Sequence, residues 1–213
     1  MKPKILAEGI LRFYEGRAFS KEAKICGDED KMLDYCLRKA WQDAISRERF
    51  AGKGNSAILQ KADQIKRKLK TELTENLDRI DNDFSSWHRK MCEDNAFGMR
   101  CGMWQKFINM AFKYMYCAYQ KKEIFRQYDA VFEKCHCPVD SVIAKKVCAQ
   151  LEKSDSRYEL IKSVVRNGSV NWNNMTYEQY LAIQSVIGSL AAEEGLTPLE
   201  YDFAHWDELN GNR

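Results

Sequence analysis

Two lysines in one apolar stretch are the residues whose type and spacing first suggest a chemical role. Lys106 and Lys113 lie seven residues apart, two turns along one face of a helix, within a run that is apolar on nearly every side. A helix without a polar face is normally buried. A lysine held among apolar side chains loses the hydration that favours its charged form, and the neutral amine is a nucleophile. Alternatively, both lysines extend along their stems to the surface.

A carboxylate downstream could complement such an amine. Pro138 predicts the start of a helix, because proline is favoured in the first turn, and this sets Asp140 among unpaired backbone N–H groups. The helix dipole and hydrogen bonds to the anion lower the pKa of this carboxyl group, which suits it to stabilising positive charge. The alternative is an aspartate that serves only as a helix cap.

A buried amine followed by a carboxylate at a helix start resembles the helix-hairpin-helix DNA glycosylases. The chain is most similar to the archaeal GO glycosylases, which excise 8-oxoguanine. Three blocks carry the resemblance, and together they run from about Trp104 to Trp206, about half of the chain. They are the Lys-x6-Lys helix, the Pro-x-Asp block of Cys137–Ile143, and the Pro-Leu-x-x-Asp-x-x-x-Trp pattern of Leu196–Trp206.

The resemblance implies a glycosylase with AP lyase activity that acts on double-stranded DNA containing a damaged base. Lys106 would attack the deoxyribose and Asp140 would stabilise the cationic sugar. Four residues would bind the extruded base: Met110, Pro138, Asp202 and Trp206. Trp206 offers a flat surface for that base, and Asp202 can accept hydrogen bonds from a purine edge. The alternative for this last pair is a core tryptophan beside a surface aspartate.

Two positions depart from the wider superfamily. Its usual glycine-rich hairpin before the lysine is not visible, since Gly102 is the single glycine in Arg100–Gln105. The archaeal branch also lacks a standard hairpin, so this departure favours that branch. Met110 stands where the branch has an aromatic residue. This position therefore lacks the aromatic surface on which a base would stack.

Contacts to the DNA backbone are predicted from basic residues. The net charge of +3 and pI near 8.3 are too mild to indicate nucleic acid by themselves. Lys145 and Lys146 follow Asp140 on a helix whose N-terminus would face the strand, and Lys113 is predicted to lie near the pocket or the phosphates. A second basic cluster, at Lys61, Lys66, Arg67, Lys68 and Lys70, is read as a solvated helix face.

The composition predicts an all-α protein. With 213 residues, 45% hydrophobic content and three prolines, residues 1–213 can form a single helical domain. They can equally form two closely packed helical lobes, residues 1–100 with the C-terminal segment and residues 101–170, with the active site between them. No apolar run approaches eighteen residues and no signal-peptide core follows Met1, so we expect a cytoplasmic monomer without membrane contact, its eight cysteines reduced.

Local patterns predict most of the helices. Helices are predicted over Ile5–Tyr14, from Asp28 through Ile45, from a Ser56 cap to Ile80, around Phe84–Met91 and over Lys121–Phe132. Residues Tyr158–Val165 fit a helix or a strand. Thr176 with Gln179 predicts a capping box, Thr197-Pro198 predicts another helix start, and Ala51–Asn55 is the clearest loop.

The sequence also contains one possible metal-binding pattern and is compatible with two other functions. Cys135-His136-Cys137 with Cys148 is a weak zinc pattern, since adjacent ligands cannot easily surround one tetrahedral ion, so we expect no metal and no cofactor. One rival is a helical nucleic-acid-binding module without chemistry, which binds with a steep salt dependence and forms no covalent adduct. The other is a protein-interaction module that uses the aromatic-rich central helix as its groove.

Overall fold

The computed structural model describes residues 2–45, 56–166 and 169–205, and it confirms the all-α class. The helices of the first half are α1 (Lys2–Phe13), a π-helical turn (Tyr14–Ala18), α2 (Lys21–Ile25), α3 (Glu29–Ala44), α4 (Ser56–Gln60), α5 (Ala62–Glu75), α6 (Leu77–Asn82) and α7 (Phe84–Cys92). Those of the second half are α8 (Cys101–Lys122), a 3-10 turn (Arg126–Tyr128), α9 (Asp129–Phe132), α10 (Ser141–Gln150), α11 (Tyr158–Val164), a 3-10 turn (Trp172–Asn174), α12 (Tyr177–Glu194) and α13 (Pro198–Ala204). Within the described ranges the strands are β1 (Val165–Arg166) and β2 (Ser169–Val170), which pair antiparallel.

Helix α8 runs through the centre of the molecule, as its apolar sequence predicts. Every residue from Gly102 to Ala118 is buried. The other helices surround it: on α3, the ring of Trp41 meets Phe107 edge-on, with ring centroids 5.5 Å apart. The Tyr114 hydroxyl donates to Asp43 at 2.7 Å. The side chains of α8 from Gly102 to Ala118 are therefore enclosed by the surrounding helices.

One glycine lets the start of α8 pack directly on another segment. Gly102 lies against the 3-10 turn, where a Cβ added to it would stand 1.9 Å from the carbonyl oxygen of Trp172. That distance is far inside van der Waals contact and involves backbone, so no side-chain rotation can relieve it. The close approach couples the turn at Trp172–Asn174 to the helix that carries Lys106.

We expect Gly102→Ala to lower the free energy of unfolding by about 1–3 kcal/mol, because either α8 or the turn must shift to admit the methyl group. Chemical denaturation measures the change. Gly188→Ala in α12 is the matched control, since a Cβ there meets nothing within 4 Å. It should stabilise by about 0.5–1 kcal/mol through the higher helix propensity of alanine. Equal effects of the two substitutions would contradict the close packing.

The predicted helix from Ser56 to Ile80 is wrong in its continuity. The structure divides it at Lys61 and Asn76 into α4, α5 and α6. Asn76 leaves the helical region, with φ −121° and ψ 24°, in keeping with the tendency of an asparagine side chain to compete for backbone hydrogen bonds. The apolar spacing survives both breaks, since Ile65, Leu69, Leu73 and Ile80 are all fully buried.

The predicted helix over Lys121–Phe132 is also wrong. Helix α8 continues to Lys122, and then Glu123 and Phe125 adopt left-handed backbone conformations with φ of 56° and 71°. These two residues turn the chain back, so that the Phe132 ring stacks on Tyr119 of α8 with centroids 5.4 Å apart. The turn also buries Phe125, which is 1% exposed. Neither glycine nor proline occurs between Tyr119 and Phe132, so the local sequence does not predict this reversal.

The capping patterns are confirmed. Asp28 accepts a hydrogen bond from the Lys31 backbone, and Thr176 forms the predicted capping box with Gln179. Thr197 starts α13 with a second capping box. The segment Tyr158–Val165, whose sequence fits a helix or a strand, is a helix as far as Val164 and then passes directly into β1. The predicted loop at Ala51–Asn55 lies outside the described residues. Within them, no helix is long and apolar enough to cross a membrane.

Candidate active site

Helix α8 and the N-terminus of α10 bring Lys106 and Asp140 together. The Lys106 Nζ lies 3.2 Å from Asp140 Oδ2, and it also donates to the Pro138 carbonyl oxygen at 3.5 Å. Lys106 is 8% exposed, so its stem is enclosed by the core. The two residues that the sequence proposed as nucleophile and electrostatic partner are therefore direct neighbours.

Asp140 uses its two oxygens for different partners. As the N-cap of α10, its Oδ1 accepts hydrogen bonds from the backbone N–H groups of Val142 at 2.9 Å and Ile143 at 3.1 Å. Its Oδ2 faces Lys106. Burial raises the pKa of this carboxyl group, but the Lys106 charge and the two backbone donors outweigh burial, so the net pKa is lowered. The side chain stays 37% exposed, which leaves an ionised carboxylate open to an incoming molecule.

Two buried glutamines hold the extended segment that leads to Asp140. Gln105 of α8 donates to the Val139 carbonyl at 2.9 Å and accepts from the Val139 N–H at 3.2 Å. Gln184 of α12 does the same for Cys137, donating at 2.6 Å and accepting at 3.2 Å. Both backbone groups of two alternate residues are thus satisfied by side-chain amides from two helices. These four hydrogen bonds hold the backbone that immediately precedes Asp140.

Neither Gln105 nor Gln184 is predicted as a site residue from the sequence. Gln105 directly precedes Lys106 in an otherwise apolar helix, and an amide at such a position needs buried hydrogen-bond partners. This need for buried partners is the feature of the sequence from which Gln105 could have been identified. Which backbone groups would meet it depends on the 135–140 segment, which is distant in sequence.

Gln105→Met should lower the free energy of unfolding by about 2–4 kcal/mol, because methionine matches the shape but leaves both Val139 backbone groups buried without a partner. The matched control is Gln120→Met, at an exposed position on the same helix, where a change within about 0.5 kcal/mol is expected. Urea denaturation of both variants measures the difference. A cost for Gln105→Met no larger than the control's would mean that the Val139 backbone finds other partners.

A neutral polar network lies behind this segment. Asn109 of α8 donates to the Tyr180 hydroxyl at 2.8 Å, and its Oδ1 lies 3.1 Å from His88 Nε2. His136 Nδ1 lies 2.7 Å from the same Tyr180 hydroxyl. Burial lowers the pKa of His136 to about 4 and that of His88 well below its usual value. Both imidazoles are therefore neutral near pH 7, and the network adds no positive charge beside Lys106.

The stability of the protein should fall as the pH drops from about 6.5 towards 4. An unfolded chain protonates His136 near its ordinary pKa of about 6.5, whereas the folded protein resists protonation until about pH 4. The unfolded state thus binds more protons in this window. The contribution of His136 to the free energy of unfolding is fully present above pH 6.5. It decreases by about 3 kcal/mol as the pH falls towards 4.

Urea denaturation of the wild type and of His136→Gln at several pH values between 7 and 4.5 measures this effect. The substitution should reduce the loss of stability over that range, because glutamine does not titrate while its amide can still bond to Tyr180. His88, which is also buried and neutral, should sustain part of the remaining slope. If the free energy of unfolding depends on pH equally in the wild type and the variant, His136 is not the cause of the dependence.

Lys113 and Asp202 form a second, deeper ion pair. Lys113 Nζ lies 2.6 Å from Asp202 Oδ2, with the side chains 2% and 8% exposed. The ammonium also lies 4.8 Å and 4.9 Å from the ring centroids of Phe13 and Phe203. A lysine enclosed in this way does not reach a phosphate, so the DNA-backbone contact predicted for Lys113 does not fit its placement. The Asp202 carboxylate, predicted to bind the base, is engaged by Lys113.

The remaining predicted site residues are spread around the Lys106–Asp140 pair. Met110, one turn after Lys106 on α8, is 7% exposed. Pro138 is buried, and its carbonyl faces Lys106. Lys145 is exposed and Lys146 half-buried on α10, behind Asp140. Trp206 lies outside the described residues, so the structure does not place it.

The cysteines near Asp140 are thiols. All eight cysteines are free, and the described residues contain no group of three or more His, Cys, Asp and Glu side chains that could hold a metal ion. Burial raises the pKa of Cys135 and of Cys137 well above the usual value, which disfavours the thiolate that metals bind. His136, between them, is engaged by Tyr180.

The arrangement can combine an enclosed amine with an ionised carboxylate at a partly open helix start. Such a pair can attack an electrophilic carbon and stabilise the positive charge that develops there. No protein-family model, no curated protein and no solved structure matches this chain.

Proposed function

We propose that this protein is a DNA glycosylase with AP lyase activity, acting on double-stranded DNA that contains a damaged base, with 8-oxoguanine as the first candidate. The observation that carries the proposal is the 3.2 Å contact between Lys106 Nζ, on the central buried helix, and Asp140 Oδ2, at the start of α10. The order and spacing of the three sequence blocks support it.

The reaction begins with extrusion of the damaged nucleotide, because its glycosidic bond is unreachable in the base stack. Lys106 must first lose a proton, and the Asp140 carboxylate is an acceptor within hydrogen-bond distance. The amine then attacks C1′ while the bond from C1′ to the base breaks, and the leaving base takes up the proton that Asp140 had accepted. This transfer ionises Asp140 again, and its carboxylate stabilises the positive charge on the sugar.

The proposed lyase activity proceeds through the covalent adduct between C1′ and Lys106 Nζ. Opening of the sugar ring converts the C1′–Nζ adduct into a Schiff base, a protonated C=N bond. Loss of a proton from C2′ then expels the 3′ phosphate and breaks the strand. Borohydride reduces the Schiff base to a stable amine and joins the protein to DNA permanently.

Exposed charge near the pair is compatible with a DNA strand. Lys145 is exposed on α10, whose N-terminal end carries Asp140, and each neutralised phosphate adds salt-sensitive affinity. The overall charge of +3 is modest. We therefore expect affinity to come from a local contact surface and from the extruded base rather than from a general attraction to polyanions.

Borohydride trapping tests the proposal. The protein is incubated with duplexes that each contain one damaged base, 8-oxoguanine among them, and an undamaged duplex and a duplex with a reduced abasic site serve as controls. A covalent adduct with at least one damaged duplex and with neither control supports the proposal. DNA binding without any adduct across the panel would favour a non-catalytic binding module, and an absence of both would favour a protein-interaction module.

A further inference from the structure

A large cavity lies between α2, α3 and α5, at the opposite end of the central helix from Lys106. Its volume is about 970 Å³, in the range of small-molecule sites. The Lys122 ammonium at the end of α8 donates to the carbonyl of Cys26, which lines the cavity, at 3.2 Å. Lys106 and Lys122 are separated by about 24 Å along the helix. The cavity is therefore separate from the Lys106–Asp140 pair.

The inner surface of this cavity is apolar and fixed. Ala23, Met32 and Leu37 line it and are at most 5% exposed. The ring of Tyr35 forms a further wall. It stacks on Phe19 with centroids 5.5 Å apart, and its hydroxyl accepts a hydrogen bond from the Ser20 backbone at 2.8 Å. A hydrocarbon or aromatic group placed here would be removed from water without rearrangement of the wall.

Three aspartates at or beside the rim form ion pairs with lysines. Lys70 lies 2.8 Å from both Asp30 and Asp34, and Lys66 lies 2.8 Å from Asp63. These pairs join neighbouring turns and link α3 to α5. In these pairs three carboxylates face two lysines. Over the whole lining of the cavity, however, five basic side chains outnumber three acidic ones: Lys31, Arg38, Lys66, Arg67 and Lys70 against Glu22, Asp34 and Asp63.

Lys31, which also lines the cavity, pairs with Asp28 at 3.4 Å. Two arginines supply the remaining positive charge. Arg38 on α3 holds its guanidinium 4.9 Å from the centroid of Tyr35, and Arg67 on α5 donates its Nε to the Asp63 carbonyl oxygen at 3.3 Å. In the part of the chain that the structure describes, neither has a carboxylate within 4.0 Å. Each guanidinium thus keeps donors for an external anion, and planar guanidinium groups match carboxylates and phosphates in a bidentate manner.

We propose that this cavity binds a small amphipathic anion, a molecule with an apolar body and one terminal carboxylate or phosphate group. The apolar body fills the space beside Met32 and Tyr35, and the anionic group meets Arg38 and Arg67. A DNA duplex does not fit this cavity, because its phosphates lie on a wide, rigid surface whereas the inner wall of the cavity is apolar. Binding here is independent of the glycosylase proposal.

Calorimetric titration of the full chain tests the proposal with four compounds, decanoate, decyl phosphate, decyltrimethylammonium and inorganic phosphate. Saturable binding of decanoate, of decyl phosphate or of both is expected, and the comparison of the two identifies the anionic group. Neither the cation with the same chain nor inorganic phosphate should bind comparably. Absence of saturable binding by both decyl anions would overturn the proposal, and so would equal binding of the cation.

Chain length tests the apolar wall without any mutation. Affinity should rise about three- to fourfold for each methylene between hexanoate and decanoate, because each buried methylene adds a similar increment. Amide NMR shifts should concentrate at residues 23–38 and 63–70. An affinity independent of chain length, or shifts centred on α10, would contradict binding in this cavity.

A charge-matched pair of variants tests the arginines. Arg38→Ala/Arg67→Ala should weaken decanoate or decyl phosphate binding at least about tenfold. Lys4→Ala/Lys90→Ala removes the same charge from exposed positions on α1 and α7 and should leave the affinity within about twofold. Both arginine positions are exposed, and thermal unfolding confirms that each variant is folded. Equal losses in the two double variants would overturn the assignment.

Discussion

Lys106→Gln is expected to abolish borohydride trapping and to reduce base excision on the order of 10³-fold or more, since it removes the nucleophile. Glutamine keeps a hydrogen-bond donor near Asp140, so the local packing should survive. Single-turnover excision on the duplex that gives the strongest adduct measures the effect. Trapping of the variant at the wild-type level would exclude Lys106 as the nucleophile.

Asp140→Asn separates the charge of this residue from its role as a helix cap. Asparagine can still accept the hydrogen bonds from Val142 and Ile143, so the fold and the affinity for DNA should be retained. Turnover should nevertheless fall on the order of 10²-fold, because a preorganised charge at the reacting centre is lost. Lys90→Gln, which removes an exposed charge on α7, is the control and should excise normally.

Two outcomes of Asp140→Asn would count against the assignment. Excision at the wild-type rate would show that the carboxylate takes no part in the chemistry. Thermal unfolding at a much lower temperature would show that the charge itself stabilises the start of α10. The second outcome fits an ion pair with Lys106 that is structural.

The largest effect on stability is expected from Lys113→Met, which should lower the free energy of unfolding by about 3–5 kcal/mol. The substitution leaves the Asp202 carboxylate buried without its counter-ion. The cause is desolvation of that remaining charge more than loss of attraction. Chemical denaturation near pH 7 measures the change, with Lys90→Met at an exposed position as the control.

The double variant Lys113→Met/Asp202→Leu distinguishes a buried pair from a pair reached by water. Removal of both charges should recover most of the lost stability, because apolar residues of similar volume can replace a buried ion pair. A single variant that loses less than about 1 kcal/mol would show that Lys113 is accessible. That result would restore the predicted contact between Lys113 and the DNA backbone.

Much of the local structure could be read from the sequence, because its causes act over a few residues. Apolar side chains on every face predicted that α8 is the buried centre. Pro138 predicted that Asp140 begins a helix, the Thr176 pattern predicted its capping box with Gln179, and Thr197-Pro198 predicted the start of α13. Each of these signals lies within a few residues. The placement of Lys106 and Asp140 in one site was predicted from the resemblance to the glycosylases, not from a local pattern.

Tertiary packing decided the partners of the polar side chains inside the protein. Lys113 pairs with Asp202, 89 positions away. Gln105 reaches Val139 across 34 positions, and Gln184 reaches Cys137 across 47. Periodicity shows which side chains are buried, but it does not show which buried donors and acceptors meet. Those partners depend on how α8, α12 and α13 pack, and burial then requires that each of these groups be paired.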